Sequence, residues 1–345
     1  HQSNGTINRC LSQFKSMNLE AIFNSFNDMK VAIVGDVMID SYVMGKVHRM
    51  SPEAPVPVLL LDKEENRLGG AANVALNLKA LGAEVYLCSV IGNDIAGTNL
   101  QGLLTEAKIH NQEIIKSNDR KTTVKTRVLS GTQHVLRIDQ EDTRYISSSL
   151  EDALINATKH RIDMGIDALI FEDYNKGVLT HRVITELIAY AKQKGVITTV
   201  DPKNDNFLSY QGVSLFKPNL KEIKEGLDIN IDVVNQPDSI VDGAKKLREK
   251  LHHELTLITL SEHGVFIENG SASHIIPAHA REITDVSGAG DTVISVATLC
   301  LIAGMSPTEI AAIANLSGGL VCEHSGVVSV DKATLLNEAK KIVNP

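Results

Sequence analysis

Apolar and polar residues follow two different rhythms along this chain. Leu19, Ile22, Phe23 and Phe26 fall at helical spacing, and the apolar run Val31-Ala-Ile-Val34 follows at once, closing on Gly35-Asp36. The first pattern predicts an amphipathic helix and the second a strand buried on both faces. The succession then repeats, with a helix from Gly70 to Leu81, a strand Val85 to Val90 and a helix Ala96 to Ala107. Further on come a helix from Leu150, a strand Ala168 to Phe171, a helix His181 to Lys194 and a strand Val196 to Val200. An extended Leu215 to Lys217, a helix opening at Asn219, a helix Ser239 to Leu251 and a strand Leu255 to Leu260 continue it. Three helices close the chain, the middle one announced by Ser306-Pro-Thr-Glu309, with serine as N-cap, proline at the first position and glutamate at the third. Strands alternating with helices predict a mostly parallel sheet covered on both faces, a three-layer α/β/α sandwich.

Two stretches break the alternation. Tyr42 to Val47 and Val56 to Leu61 are extended runs on either side of Ser51-Pro-Glu-Ala-Pro55, whose prolines forbid a helix there. Thr122 to Leu129 and His134 to Asp139 form a second extended pair around Ser130-Gly-Thr132. Both predict pieces of one small β-sheet beside the main body, placed as a lid over about 41–62 and 120–140. The expected division is a leader and helix over 1–29, the first sixteen residues being polar and aperiodic, and one domain over 30–345.

Composition narrows the function classes. With 43% hydrophobic residues, 22% charged and a net charge of −8, the 345-residue chain has an ordinary globular make-up and no basic surplus for nucleic acid. An anionic substrate must then be met by local cations and backbone N–H groups. No apolar run approaches the roughly 20 residues that span a bilayer, and the first thirty residues lack a signal-peptide core. Cys10, Cys88, Cys300 and Cys322 show no C-x-x-C spacing, which points to reduced thiols and a cytoplasmic location.

The strongest chemical signal is Asp285-Val-Ser-Gly-Ala-Gly-Asp291, which leads from an irregular stretch into a long apolar helix. Gly288, Ala289 and Gly290 leave room for an anion at the unpaired N–H groups and positive dipole end of that helix. Asp291 in the first turn is placed to take the proton of an attacking hydroxyl. Read alone, Asp291 is either that base or an ordinary first-turn acid. The segment is no dinucleotide fingerprint, since Val293 stands where the third glycine belongs, and the chain contains no G-x-x-x-x-G-K-[ST].

Together with Gly69-Gly70-Ala-Ala-Asn73, this segment resembles the signatures of the ribokinase, or phosphofructokinase B, family, and the resemblance runs from about Val31 to about Val330. It implies a ribokinase-like fold and an ATP-dependent carbohydrate kinase, with Asp291 as base and Gly288, Ala289 and Gly290 as anion hole. It also implies that Lys217 and Asn219 face the phosphates of ATP and that Glu222 acts on Mg²⁺, through water. Asn219 and Glu222 equally suit a helix cap, and both roles can coexist. Ser261 and Gly264 match a turn along the nucleotide, and Asn315 a position facing adenine; turn glycines and helical asparagines are also commonly structural. Asp40, Gly69, Gly70 and Asn73 match the sugar pocket. A monovalent cation beside Asp285 and Ser325 assists some relatives.

Within the family, the segments holding Arg49, Arg127, Arg137 and Lys176 resemble the branch that phosphorylates O1 of D-glycero-D-manno-heptose 7-phosphate on the way to ADP-heptose and lipopolysaccharide. A phosphorylated sugar needs cations, and these four are candidates, each with solvated lid charge as its plain alternative. Other acceptors within the family are fructose phosphate, ribose or a nucleoside. A non-catalytic sugar-phosphate sensor is the reading outside enzymes, and it would be expected to have lost the base. The chain has no H-x-G-H motif, so the expected product is the 1,7-bisphosphate, passed to a separate adenylyltransferase. Exposed lid strands lead to the expectation of a homodimer.

Overall fold

The computed structural model describes residues 18–279 and 281–343, so Cys10 and the first sixteen residues lie outside the described part. A nine-stranded sheet runs through the centre in the order β13 (Ser273–Ile276), β12 (Val265–Glu268), β11 (Leu255–Thr259), β10 (Leu215–Phe216), β9 (Ile197–Asp201), β8 (Ala168–Glu172), β1 (Lys30–Gly35), β4 (Glu84–Gly92) and β5 (Ile114–Ser117). Pairing is parallel from β11 across to β5, and antiparallel only where β12 and β13 extend the edge.

Successive residues of the inner strands feed opposite faces, as the period of two requires. Val31 and Ile33 join one apolar cluster with α1 (Leu19–Ser25), α2 (Ala71–Ala80), α3 (Ile95–Glu106), α8 (Ala289–Ile302), α9 (Pro307–Cys322) and α10 (Lys332–Val343). Ala32 and Val34 join the other, with α4 (Ser148–Asp163), α5 (His181–Gln193), α6 (Leu220–Leu227) and α7 (Asp238–Leu251). The fold is therefore the three-layer ribokinase-like sandwich. Cys88, Cys300 and Cys322 are buried free thiols within it. No described helix is long and apolar enough to cross a membrane.

A second sheet, ordered β3 (Pro57–Gly70), β2 (Val37–Met50), β6 (Thr123–Ser130) and β7 (Gln133–Gln140), stands beside the first. β2 pairs antiparallel with β3 and parallel with β6. Both β2 and β3 span 14 residues, well beyond the short runs visible in the sequence. The charged segment Asp62–Arg67 hides the inner half of β3, because a strand in a thin, largely exposed sheet has no need of apolar alternation. Register aligns Arg67, Asp40, Lys125 and Asp139 in one row across the sheet, and Glu65, Tyr42, Arg127 and Arg137 two residues on, in the following row of the same face. The strands β5, β12 and β13 are also absent from the sequence pattern; each has only 4 residues, too few for a period to declare itself.

Candidate active site

The site is built where the strands of the main sheet end. Gly288, at φ +79°, is the N-cap of α8; the Ala289 N–H donates back to the Val286 carbonyl at 3.3 Å, which leaves the N–H groups of Gly288 and Gly290 unpaired among the described residues at the helix entrance. Asp291 sits one turn in and is buried. Its Oδ2 accepts from Asn73 Nδ2 at 2.6 Å and its Oδ1 from the Tyr174 hydroxyl at 2.7 Å. Asn73 is held there because α2 and α8 are locked together: Thr292 donates to Asn77 Oδ1, Asn77 donates back to the Asn73 carbonyl, and Ser295 donates to the Val74 carbonyl. Tyr174 is held by Asp36, whose carboxylate accepts from the backbone N–H groups of Tyr174, Lys176 and Val178. Burial pushes the Asp291 carboxyl up to about 6; the Asp201 carboxylate adds to the rise, and the Asn73 and Tyr174 hydrogen bonds offset part of it.

Below the glycines lies a floor of charge. Glu172 ends β8, Asp201 ends β9 and Lys217 follows β10, all buried. Lys217 Nζ is 2.8 Å from Asp201 Oδ2, and both lie beside Gly290. Burial alone would lower the Lys217 pKa, but the Asp201 and Glu222 carboxylates hold it above its ordinary value. Among the described residues Glu172 has no hydrogen-bond partner on either oxygen, and burial, with the charges of Asp201 and Asp291, holds its pKa well above the carboxylate range. Asn219 and Glu222 form the capping box of α6: Asn219 accepts from the Glu222 N–H at 2.8 Å, and Glu222 Oε2 accepts from the Asn219 N–H at 2.8 Å. The other Glu222 oxygen accepts from Lys203 Nζ at 2.6 Å. Glu222 thus accepts a hydrogen bond on each oxygen, one of them from the Lys203 ammonium, a cation that disfavours a metal in direct contact there.

The small sheet forms the opposite wall. Asp40 is buried and pairs with the Arg127 guanidinium; a Cβ on Gly69 would come within 2.3 Å of Asp40 Oδ2, so only glycine leaves that carboxylate its place. Gly70 follows at φ +59° as the N-cap of α2, three residues before Asn73. Arg67 and Arg127 both lie over the Tyr42 ring, at 4.9 and 5.4 Å from its centroid. Lys176, on the loop that carries Tyr174, is 2.8 Å from Glu141, and Lys125 reaches the same carboxylate oxygen at 3.8 Å. Of the four sequence candidates for a phosphate ligand, the fold brings Arg127 and Lys176 to this wall. Arg137 is mostly exposed and paired with Asp139, and Arg49 lies exposed nine residues beyond Asp40, near the far end of β2.

The remaining sequence candidates lie on the side of β11 to β13. Ser261 starts the turn after β11 at φ +53°, and Gly264 ends it, where a Cβ would meet the Ile276 carbonyl at 2.0 Å. The close approach that Gly264 permits is therefore that of the β13 backbone. Asn315, on α9, donates to the Pro277 carbonyl at 2.9 Å. Asp285 accepts from the N–H groups of Ser287 and Gly326, both at 2.9 Å, and so ties the entry of α8 to the loop after α9.

The model of the pfkB family carbohydrate kinases matches residues 28–333. The chain belongs to that family. Curated relatives include the bifunctional protein HldE of Desulfatibacillum aliphaticivorans, 40% identical over 90% of this chain and 63% of the relative, and that of Wolinella succinogenes, 41% identical over 86% and 61%. The chain thus spans a little under two thirds of the length of these relatives. Among solved structures, phosphofructokinase-2 from Escherichia coli in complex with potassium superposes with a TM-score of 0.75 at 16% identity, covering 91% of this chain and 99% of that one. Arabidopsis thaliana ribokinase with ribose and ATP gives 0.69 at 17%, covering 92% and 99%. At such identities these two speak for the fold.

In this pfkB kinase, sequence reasoning located the glycine-led helix but gave no role to Tyr174, Glu172, Asp201, Asp36 or Lys125. One signal was available for three of them. Asp36, Glu172 and Asp201 each close an apolar run that becomes a parallel strand, and ligand chemistry in open α/β sheets gathers at the carboxyl ends of such strands. Tyr174 and Lys125 carry no spacing signal, because their neighbours come from elements far away in sequence.

Proposed function

We propose that this carbohydrate kinase transfers the γ-phosphoryl of ATP to O1 of D-glycero-D-manno-heptose 7-phosphate, giving the 1,7-bisphosphate. The single observation that carries the reading is the buried Asp291 carboxylate, fixed on both oxygens at the mouth of α8 and facing a wall that bears Asp40, Arg127 and Lys176. Asp291 takes the proton of the acceptor hydroxyl. The N–H groups of Gly288 and Gly290, on either side of Ala289, and the positive end of α8 hold the transferred phosphoryl, with Lys217 beside them. Asn219 and Lys217 face the ATP phosphates, and Ser261, Gly264 and Asn315 line the nucleotide side. Asp40, Gly69, Gly70 and Asn73 bind the sugar hydroxyls. Arg127 and Lys176 meet the phosphate already on the sugar, ahead of Arg49 and Arg137.

ATP arrives with Mg²⁺, whose chemistry is to neutralise phosphate charge; Glu222 would meet it through water, since the Lys203 ammonium already holds one of its oxygens. A monovalent cation beside Asp285 and Ser325 belongs to the same reading. The small sheet acts as a lid that excludes water, and its outward residues Leu61, Leu136 and Ile138, all exposed, suit pairing with a second copy in a homodimer. The bisphosphate is then substrate for an adenylyltransferase.

An ADP-release assay over heptose 7-phosphate, fructose 6-phosphate, ribose and a nucleoside tests the acceptor. Heptose 7-phosphate is expected to give the highest kcat/KM. Faster turnover of ribose or fructose 6-phosphate contradicts the heptose reading, and ATP hydrolysis at the kinase rate without sugar contradicts the lid.

A further inference from the structure

The wall that faces Asp291 carries several cations, yet Arg67, Lys125, Arg127 and Lys176 are all engaged. Arg67 pairs with Glu65 at 2.6 Å, Arg127 with Asp40, Lys125 with Asp139 at 3.7 Å, and Lys176 with Glu141 at 2.8 Å. An incoming sugar phosphate therefore meets cations that are already neutralised. One carboxylate has to give way before two cations can turn to the phosphate.

Three of the four carboxylates are fixed. Asp40 is buried against Gly69. Glu65 is shared by Lys63 and Arg67, and Asp139 accepts two hydrogen bonds from Arg137, at 2.9 and 3.1 Å. Glu141 is different. It is half-buried, follows the last residue of β7, and has three rotatable side-chain bonds. Its Oε2 is enclosed but has no hydrogen-bond partner among the described residues; Lys176 Nζ at 2.8 Å and Lys125 Nζ at 3.8 Å hold it by charge alone. An enclosed carboxylate oxygen between two ammonium groups, without a directed bond to either, stands where a phosphate oxygen would find its partners. Lys176 is anchored independently of Glu141, since Asp36 accepts its backbone N–H at 3.1 Å and Arg120 donates to its carbonyl at 2.5 Å. The carboxylate can swing out while the cation stays.

We propose that Glu141 is a specificity-determining residue: in the empty site its carboxylate fills the phosphate position between Lys125 and Lys176, and the phosphate of the sugar displaces it. This rests on the reading of the wall as the place where the phosphate already on the sugar is met. A free phosphate must break both ion pairs by its own charge. A phosphate carried on a sugar arrives with hydroxyl contacts at Asp40 and Asn73, which keep it at the wall at a high effective concentration. Glu141 therefore excludes small anions such as inorganic phosphate and yields to the tethered one.

The test measures binding of inorganic phosphate to the full chain by titration calorimetry, with a non-hydrolysable ATP analogue and Mg²⁺ filling the nucleotide side. The wild-type protein is expected to bind phosphate weakly. Glu141→Gln should bind it roughly fivefold tighter or more, a gain that shrinks as salt is raised and disappears when Lys176→Met is added. Binding that is unchanged or weaker in Glu141→Gln overturns the proposal, because a carboxylate that merely braces the lysines would give that result. A gain that survives Lys176→Met overturns it as well. Should Glu141→Gln fail to fold, wild-type crystals soaked in phosphate decide: phosphate on Lys176 with Glu141 turned away supports the displacement, and Glu141 still against Lys176 overturns it. The binding needs neither sugar nor turnover, so a different acceptor sugar leaves its outcome intact. Heptose phosphorylation together with unchanged phosphate binding in Glu141→Gln would sink this proposal alone.

Discussion

The two walls of the cleft are made differently. The floor, on β8, β9, β10 and α8, is built from fully buried groups: Asp291, Glu172, Asp201 and Lys217 all lie inside the main body and are fixed by register and helix packing. The opposite wall is a sheet whose charged row is only partly covered, with Lys125 and Arg127 half-buried and Arg137 exposed. A buried carboxylate holds one geometry and a perturbed pKa, which suits proton transfer; a half-exposed row of cations adapts to an incoming anion, which suits selection. The contrast predicts that damage to the floor lowers kcat, and that damage to the wall raises KM.

The largest effect is expected at the base. Asp291→Asn should lower kcat by about 10²–10⁴-fold with little change in the KM for sugar, as steady-state kinetics will show. Next comes the wall: Arg127→Met leaves the Asp40 carboxylate without its partner and should raise the KM for sugar phosphate roughly tenfold or more, with a smaller fall in kcat. If Arg127→Met proves a pure kcat variant, the division between the walls fails.

A subtler test concerns Tyr174. Its hydroxyl stabilises the charged form of Asp291, so Tyr174→Phe should raise the carboxyl pKa above about 6, by roughly one unit. Difference infrared titration of the metal-free protein reads this directly as a carboxyl that is protonated below about pH 6, is lost in Asp291→Asn and moves upward in Tyr174→Phe. Because the base must be ionised, activity falls as pH drops through that value, and the fall begins at higher pH in Tyr174→Phe. The smallest effect on chemistry is expected on the outer face of the wall. Leu136→Asp with Ile138→Asp should yield monomers by sedimentation while kcat stays within about twofold, since both side chains are exposed and point away from the Arg127 row.

The same contrast explains what could be read in the sequence. The inner strands declared themselves because strands buried on both faces are unbroken apolar runs, as at Val31–Val34 and Leu169–Phe171. In β3, Asp62–Arg67 carries strand pairing under a charged sequence, and nothing in its period marks it as extended. The catalytic helix was legible through glycines that a helix entrance requires, and Asn219 with Glu222 through the capping box that they do form. The floor was legible only as acids that close apolar runs: Glu172 and Asp201 stand 29 positions apart, and the pairing of β8 with β9 is what makes them neighbours. Tyr174 meets Asp291 only because Asp36, at the end of β1, gathers the backbone of its loop.

The most direct test of the central claim is to incubate the protein with ATP, Mg²⁺ and D-glycero-D-manno-heptose 7-phosphate and to follow the sugar by phosphorus NMR. The account predicts a second phosphate signal coupled to the anomeric proton, formed in step with ADP and absent with Asp291→Asn. ADP formed without a new sugar phosphate, or a phosphate on any hydroxyl other than O1, would contradict it.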